Sequence, residues 1–348
     1  MTVHDLDTPA PVVDIDIVEQ NLAKMQSYCD SHGLALRPHI KTHKIPHLAH
    51  RQVQLGACGI TCQKLGEAEV MVAVGLTDIL ISYPLIGELK AKRLAVLAGT
   101  AKMTVAIDSD VALATATSAA QSSGAEIGVL VEFDSGAKRT GVVSVEQALA
   151  LAAQITETKG LRFDGLMTYP STVETGLFVA GAKQAFDRAG ISILVVSGGG
   201  TPRAWEAHTI LGLTEVRVGT YVYFDRSQVE QGSATLYDCA LHVYATVVSR
   251  PTEDRAILDC GSKSLSSDHS GTGYGLIREY PGAVIERLYE EHALVNLANS
   301  AAKPKIGERV RVLPNHACVV TNLHDEIFVA SGENWIDTWK VAARGKTV

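Results

Sequence analysis

Between about residues 34 and 223, short apolar runs alternate with longer stretches of helical spacing. The runs fall at 35–41, 59–63, 78–83, 103–108, 128–134, 163–169, 193–197 and 215–223. Stretches between them, such as 87–97, 111–120, 145–155 and 175–189, are rich in Ala, Leu, Glu, Lys and Gln, which are helix formers. A further helix is predicted over 17–31. The runs show little polar alternation, which implies burial on both faces, as in a parallel sheet covered by helices. Eight such units predict an α/β fold, a (β/α)8 TIM barrel, rather than an open doubly wound sheet. The rival Rossmann-type sheet lacks its fingerprint, since no G-x-G-x-x-G follows the first strand.

Beyond residue 230 the texture changes. Segments 240–250, 255–263, 309–313, 319–322 and 327–330 read as strands separated by Gly, Pro, Ser and Asp, and only 285–297 offers a short helix. The expected division is a barrel over residues 8–230 and a β-rich domain over 231–348, with residues 1–7 a candidate to join the latter.

Composition narrows the function. A chain of 348 residues has room for one large domain and a smaller one, and 46% hydrophobic with 20% charged residues is ordinary for a soluble protein. A net charge of −7 with no basic run argues against a nucleic-acid partner. The apolar stretches are broken well before membrane-spanning length, and the first ten residues carry no leader pattern, so no membrane association is expected. Six cysteines, Cys29, Cys58, Cys62, Cys239, Cys260 and Cys318, form no C-x-x-C pair and read as reduced thiols of a cytoplasmic protein.

Barrel enzymes carry their chemistry at the C-terminal ends of the strands, commonly with a phosphate site after the seventh and eighth. Lys41, in Arg37-Pro38-His39-Ile40-Lys41-Thr42-His43-Lys44, is expected at the end of the first strand. Neighbouring cations and partial burial would favour its neutral, nucleophilic amine, the form that makes a Schiff base. Gln63 ends the second run, Arg139 follows the fifth, and Tyr169 ends the sixth. The seventh runs into Ser197-Gly198-Gly199-Gly200-Thr201-Pro202, where glycines let backbone N–H groups crowd an anion and Pro202 suits the first turn of a helix. The eighth carries Arg217-Val218-Gly219-Thr220-Tyr221. Most lysines are solvated charges and many triple glycines are plain turns, but their conjunction at strands one and seven is far more specific. Pyridoxal 5'-phosphate is the cofactor that needs both a lysine and a phosphate cradle.

With these motifs, together with Asp7-Thr8-Pro9, Gln63-Lys64-Leu65-Gly66-Glu67-Ala68-Glu69, Arg139-Thr140-Gly141 and Pro314-Asn315-His316-Ala317-Cys318, nearly the whole chain resembles the fold type III, alanine racemase-like pyridoxal phosphate enzymes. It is most similar to the branch of D-threonine aldolases and eukaryotic-type, zinc-dependent D-serine dehydratases. The resemblance implies that Lys41 is the cofactor lysine and that Arg139 meets the cofactor phenolic oxygen or the substrate carboxylate. It further implies that residues 197–201 and 219–221 hold the phosphate. Arg217 matches the racemase arginine that faces the pyridine nitrogen.

His316 and Cys318 are spaced i, i+2, which on an extended strand puts both on one face. Alone, such a pair is more often a half-buried strand; within this motif it reads as a metal pair. A thiolate with an imidazole favours zinc, with manganese or magnesium as alternatives. Aldolases of the branch often carry a carboxylate where Cys318 stands, which draws the pair toward the dehydratases. Conversely, 165–171 lacks a histidine expected in the best-known members of either group.

The implied activity is retro-aldol cleavage of D-3-hydroxy amino acids to glycine and an aldehyde, with Lys41, His316 and Cys318 catalytic. The alternative is dehydration of D-serine or 3-hydroxyaspartate to a 2-oxo acid and ammonia. A racemase would need a second base opposite Lys41, and Tyr237, Tyr244, Tyr274 and Tyr289 fall in no arguable pattern for one. A non-catalytic cofactor carrier would leave the β-rich third of the chain unexplained. A homodimer is implied by the resemblance.

Overall fold

The computed structural model describes residues 1–348. Strand β1 (Ala10–Asp14) and helix α1 (Ile15–Ser31) come first. Eight strands follow: β2 (Ala35–Leu36), β3 (Ile60–Cys62), β4 (Asp78–Ile81), β5 (Lys102–Ile107), β6 (Ile127–Glu132), β7 (Leu161–Met167), β8 (Val195–Gly198) and β9 (Glu215–Val216). Interleaved with or following them are α2 (Pro46–Gln54), α3 (Leu65–Ala73), α4 (Glu88–Ala98), α5 (Asp110–Ser123), α6 (Val145–Glu157), α7 (Val173–Ala189) and α8 (Arg226–Glu230). The rest comprises β10 (Leu241–Thr252), β11 (Arg255–Leu258), α9 (Ser262–Leu265), β12 (Leu276–Ile277), β13 (Val284–Leu288), β14 (Ala293–Asn296), β15 (Arg309–Leu313), α10 (Ala317–Leu323), β16 (Glu326–Ser331) and β17 (Asn334–Lys340).

Strands β2–β9 form one parallel sheet in the order β2-β9-β8-β7-β6-β5-β4-β3. Its ends meet through a parallel bridge between His39 and Thr61, so the sheet closes as the expected barrel. Every residue of β6 is buried, as a strand covered on both faces requires. Leu80, Ala106, Leu130 and Met167 pack together with Val195, one side chain from each of five neighbouring strands. Alternation then places Glu132 on the same face as Leu130, one step nearer the C-terminal end. Serine caps start two covering helices: Ser109 accepts from the Ala112 amide and Ser144 from the Gln147 amide.

Contacts divide the chain into two units. One gathers residues 1–24, 42–45 and 220–345, the other residues 25–41, 46–219 and 346–348. Residues 8–24 and 220–230, expected with the barrel, thus cluster with the β-rich unit. The physical reason at the N-terminus is pairing: β1 runs antiparallel to β10 and parallel to β16. Residues 1–7 do join this unit, where Thr2 bridges Asn334.

Two expectations in the β-rich unit are corrected. Segment 285–297 is no helix but the antiparallel pair β13–β14, with Ile285 opposite Val295. Its apolar spacing mimics a helix because a bulge between Ile285 and Arg287 shifts the register. Segment 319–322 is not a strand but lies in α10. Its β-branched residues are overruled by a cap from elsewhere in the chain: Asp225 Oδ2 accepts from the Ala317 amide at 2.9 Å.

Candidate functional site

In the barrel unit, β2 stops at Leu36, and Lys41 lies half-buried in the 3-10 turn Ile40–Thr42 rather than at a strand end. The proline at 38 and the pairing of residues 37–39 with β9's continuation carry the chain to that turn: Val218 accepts from the His39 amide at 2.8 Å. His39 is buried, its Nδ1 accepts from the Lys41 amide at 3.4 Å, and its Nε2 lies 3.1 Å from Gln63 Oε1. Ser82 Oγ adds a contact of 3.2 Å to the same nitrogen. Because Nδ1 accepts, Nε2 carries the proton toward Gln63. Gln63 therefore reaches the Lys41 turn through His39, which the sequence reading quoted in its motif without giving it a role.

Arg217 is buried and fully oriented. It donates through Nη1 to Ser197 Oγ at 2.6 Å and through Nη2 to the Thr168 carbonyl at 2.8 Å. Burial pushes its pKa down to about 10, against the pull of Glu215 and Glu132, so it stays charged at neutral pH. Ser197 donates its hydroxyl hydrogen bond to Glu215 Oε1, and Glu215 Oε2 in turn accepts from Arg37 Nε at 2.8 Å. The Ser197 hydroxyl is thus spent on Arg217 and Glu215, leaving it no proton for a phosphate.

The glycine loop divides its labour. Gly199 donates its amide to Ser171 Oγ at 2.8 Å, and a Cβ there would come within 2.9 Å of the Arg217 carbonyl, so this glycine serves packing. Gly200 has φ +127°, and a Cβ there would meet nothing nearer than a Tyr169 ring carbon at 3.5 Å. Thr201 opens a 3-10 helix with Pro202 in its first turn, and a helix start has amides with no partner inside the helix. Gly200 and Thr201 are therefore the open part of the cradle. Arg139 stacks over the Tyr169 ring at 4.8 Å and is exposed, free to meet a carboxylate.

Glu132 adds a group that sequence reasoning missed. Its Oε1 accepts from Thr140 Oγ1 at 2.8 Å, while Oε2 is buried without a partner. Burial raises its pKa, with Thr140, Arg217 and Arg139 opposing. The only sequence signal was a carboxylate closing an otherwise apolar strand.

In the β-rich unit, His316 caps α10 and Cys318 lies in its first turn, so the pair meets on a helix start and not on one face of a strand. His316 Nδ1 lies 2.9 Å from Asp225 Oδ2, and Asp225 is wholly buried. That carboxylate holds the Nδ1 proton, so Nε2 is the nitrogen a metal would take, by displacing its proton. Hydrogen bonding to Asp225, and then to Cys318, pushes His316 up to about 10. Cys318 Sγ lies 3.1 Å from Thr42 Oγ1 and 3.8 Å from Thr220 Oγ1. Tyr221 is buried in the turn Thr220–Val222, and Tyr223 is buried with its hydroxyl unpaired.

A fixed imidazole beside a thiol suits a borderline-soft divalent cation, and the residues present fit one with solvent or substrate completing its coordination. No group of three or more His, Cys, Asp or Glu side chains gathers for a metal, so His316 and Cys318 are the candidate ligands. The Lys41 amine, the open amides at 200–201 and the buried cation of Arg217 likewise fit pyridoxal phosphate. Asp225 ends the apolar run Tyr221-Val222-Tyr223-Phe224, and its position there was the one available hint of its role.

The alanine racemase N-terminal domain family matches residues 13–227, and a serine dehydratase domain family matches residues 240–330. The chain is 36% identical to the D-threonine aldolase of Arthrobacter sp over 98% of its own length and 93% of the relative's. The crystal structure of D-threonine aldolase from Filomicrobium marinum superposes with a TM-score of 0.92 at 32% identity, covering 100% of this chain and 98% of that one. The D-threo-3-hydroxyaspartate dehydratase of Delftia sp. (strain HT23) is 32% identical over 97% of this chain and 98% of that protein. Its cysteine-to-alanine mutant has been solved in a metal-free form, with a TM-score of 0.86.

Proposed function

The chain belongs to the alanine racemase-like, fold type III pyridoxal phosphate enzymes, among the lyases that include D-threonine aldolase, and from that premise we propose that it cleaves D-3-hydroxy amino acids to glycine and an aldehyde. Pyridoxal phosphate supplies an aldehyde to capture the substrate amine and an electron sink for charge developing at Cα. Lys41 anchors the cofactor, with His39 and Gln63 setting the turn that carries it. The Gly200 and Thr201 amides hold the phosphate, with Gly219, Thr220 and Tyr221 continuing the cradle. Arg217, immobilised by Ser197 and Thr168, keeps a positive charge toward the ring nitrogen. A cation there would disfavour protonation of the ring nitrogen, so the ring would be a weaker sink and more of the work would fall to other groups. Arg139 swings from the Tyr169 face to the substrate carboxylate.

His316 and Cys318 would hold a divalent cation, zinc by donor type, which would supply Lewis acidity to the substrate's 3-hydroxyl. One observation carries the assignment: Lys41 is joined by a single peptide bond to Thr42, whose hydroxyl meets Cys318. The lysine of the cofactor motif and the thiol of the metal motif are therefore tied at one point of the chain. The enzyme is proposed to work as a cytoplasmic homodimer. The second reading is dehydration to a 2-oxo acid and ammonia, favoured by the thiol at 318.

Product analysis separates them. The holoenzyme is incubated with D-threonine, D-phenylserine, D-serine and threo-3-hydroxyaspartate, and glycine plus aldehyde is quantified against ammonia plus 2-oxo acid. Glycine from D-threonine is expected, with at least a thousandfold loss in Lys41→Ala. Ammonia without glycine would transfer the assignment to the dehydratase, and turnover of L-isomers alone would overturn both.

A further inference from the structure

Strand β10 begins Leu241-His242-Val243-Tyr244-Ala245-Thr246, an alternation that buries Leu241, Val243 and Ala245 and turns the polar residues to the opposite face. Register sets Tyr244 opposite Arg311 and Thr246 opposite Arg309 on β15, and His242 opposite Val12 on β1. A cavity of about 440 Å³ opens on this face, within the range of small-molecule sites. It shares no residue with the site assigned above.

The cavity's charges are unevenly satisfied. Arg311 is committed to Glu279, with Nε 2.7 Å from Oε1. Arg309 offers one long contact, 3.4 Å to the Val3 carbonyl. Arg278, half-buried in the wall, has only its backbone amide engaged, donating to the Arg311 carbonyl. Its guanidinium has neither a carboxylate nor a carbonyl partner.

His242 supplies the second anomaly. Its Nε2 is shut off from solvent and has no hydrogen-bond partner. A neutral imidazole keeps one nitrogen as a donor and one as an acceptor, and Nε2 finds no partner in either role. Burial first, and then Arg278 and Arg311, push the imidazole down to about 3, so it stays neutral at physiological pH. A buried polar atom left unpaired is costly, and natural structures seldom keep one without a use. Asp14 and Glu333 also line the cavity and add negative charge to its wall, Glu333 lying 3.9 Å from His4. Val3, Val12 and Ile17 give the wall an apolar part.

We propose that this cavity is a second binding site, for a free amino acid with an apolar side chain. The carboxylate would pair with Arg278 and Arg309, the ammonium would face Asp14 and Glu333, and the side chain would lie against Val3, Val12 and Ile17. A cation or an anion alone would satisfy half of these groups; a zwitterion answers both.

Isothermal titration of the holoenzyme with L-phenylalanine tests this, the L-isomer being chosen to spare a D-specific catalytic site. One saturable site per chain is expected. Arg278→Gln should weaken it at least tenfold. Lys41→Ala should leave it within twofold. Hydrocinnamate, which lacks the ammonium, should bind at least tenfold more weakly. Arg309→Gln serves as a second variant, and since Arg278 makes no side-chain bond its replacement should leave the thermal midpoint unchanged. No saturable heat up to the order of 10 mM would overturn the proposal. So would binding that is lost in Lys41→Ala but kept in Arg278→Gln, or hydrocinnamate binding as well as phenylalanine. Dissociation of a dimer by Arg278→Gln, with no ligand binding in the parent, would give this face to a second copy of the chain and overturn the proposal as well.

Discussion

One carboxylate oxygen of Asp225 holds both the His316 ring and the first amide of α10. The two bonds have different consequences. The bond to the amide fixes where the helix starts, and hence where Cys318 points. The bond to the ring fixes the tautomer, and hence which nitrogen can take a metal. Asp225→Asn keeps the shape and replaces the anion with a weaker, neutral acceptor. It should lower zinc affinity about 10–100-fold, measured by competition against a chelator, with little loss of bound cofactor. Unchanged zinc affinity would reduce Asp225 to a helix cap. Dialysis of the parent enzyme against the chelator should likewise remove activity and leave the yellow cofactor in place, with zinc restoring turnover. At this scale residue type and motif single out Lys41, Arg217, His316 and Cys318 as candidates. They do not reveal that the Ser197 hydroxyl and the Gly199 amide are already taken. Hydrogen-bond partners come from distant segments, and a motif does not name them.

Among the elements, the barrel strands were the most legible, because burial on both faces selects Val, Ile and Leu runs wherever they occur. Gly165 in β7 shows how tightly those strands are joined. Its φ is +146°, and a Cβ there would fall 1.9 Å from the Val195 carbonyl in β8. Gly165→Ala must therefore break the β7–β8 pairing or displace a strand in the close-packed barrel. It should cost roughly 3 kcal/mol or more, read as a lower thermal midpoint or loss of soluble protein. A midpoint within a degree or two of the parent would mean that the sheet can yield here. The β-rich unit was read less well for the opposite reason. Its elements are short, and what decides them is contact with other segments. The β13–β14 pair looked helical until the bulge was seen, and α10 looked like a strand until Asp225 supplied its cap.

For the molecule as a whole, the assembly is the property still to be measured. Fold type III enzymes of this two-domain plan commonly complete the barrel mouth with the partner's second domain. Light scattering should accordingly give twice the chain mass at micromolar concentration, with activity per chain falling on dilution into monomer. A stable, fully active monomer would remove the dimer from the proposal. No helix is long and apolar enough to cross a membrane.

Taken alone, the sequence determined the periodicities, and with them a barrel of eight βα units followed by a β-rich region. It also determined the reactive groups, since an amine, a thiol, an imidazole and flexible glycines are properties of single residues. Tertiary structure decided what joins what. It assigned β1 to the second sheet, although the strand precedes the whole barrel in the chain. It set Thr42 against Cys318, more than two hundred residues away. It brought His242 and Arg278 to one cavity without partners of their own. The physical reason is that side-chain chemistry and local spacing are written residue by residue, whereas hydrogen bonds, ion pairs and burial depend on segments whose separation along the chain carries no local mark.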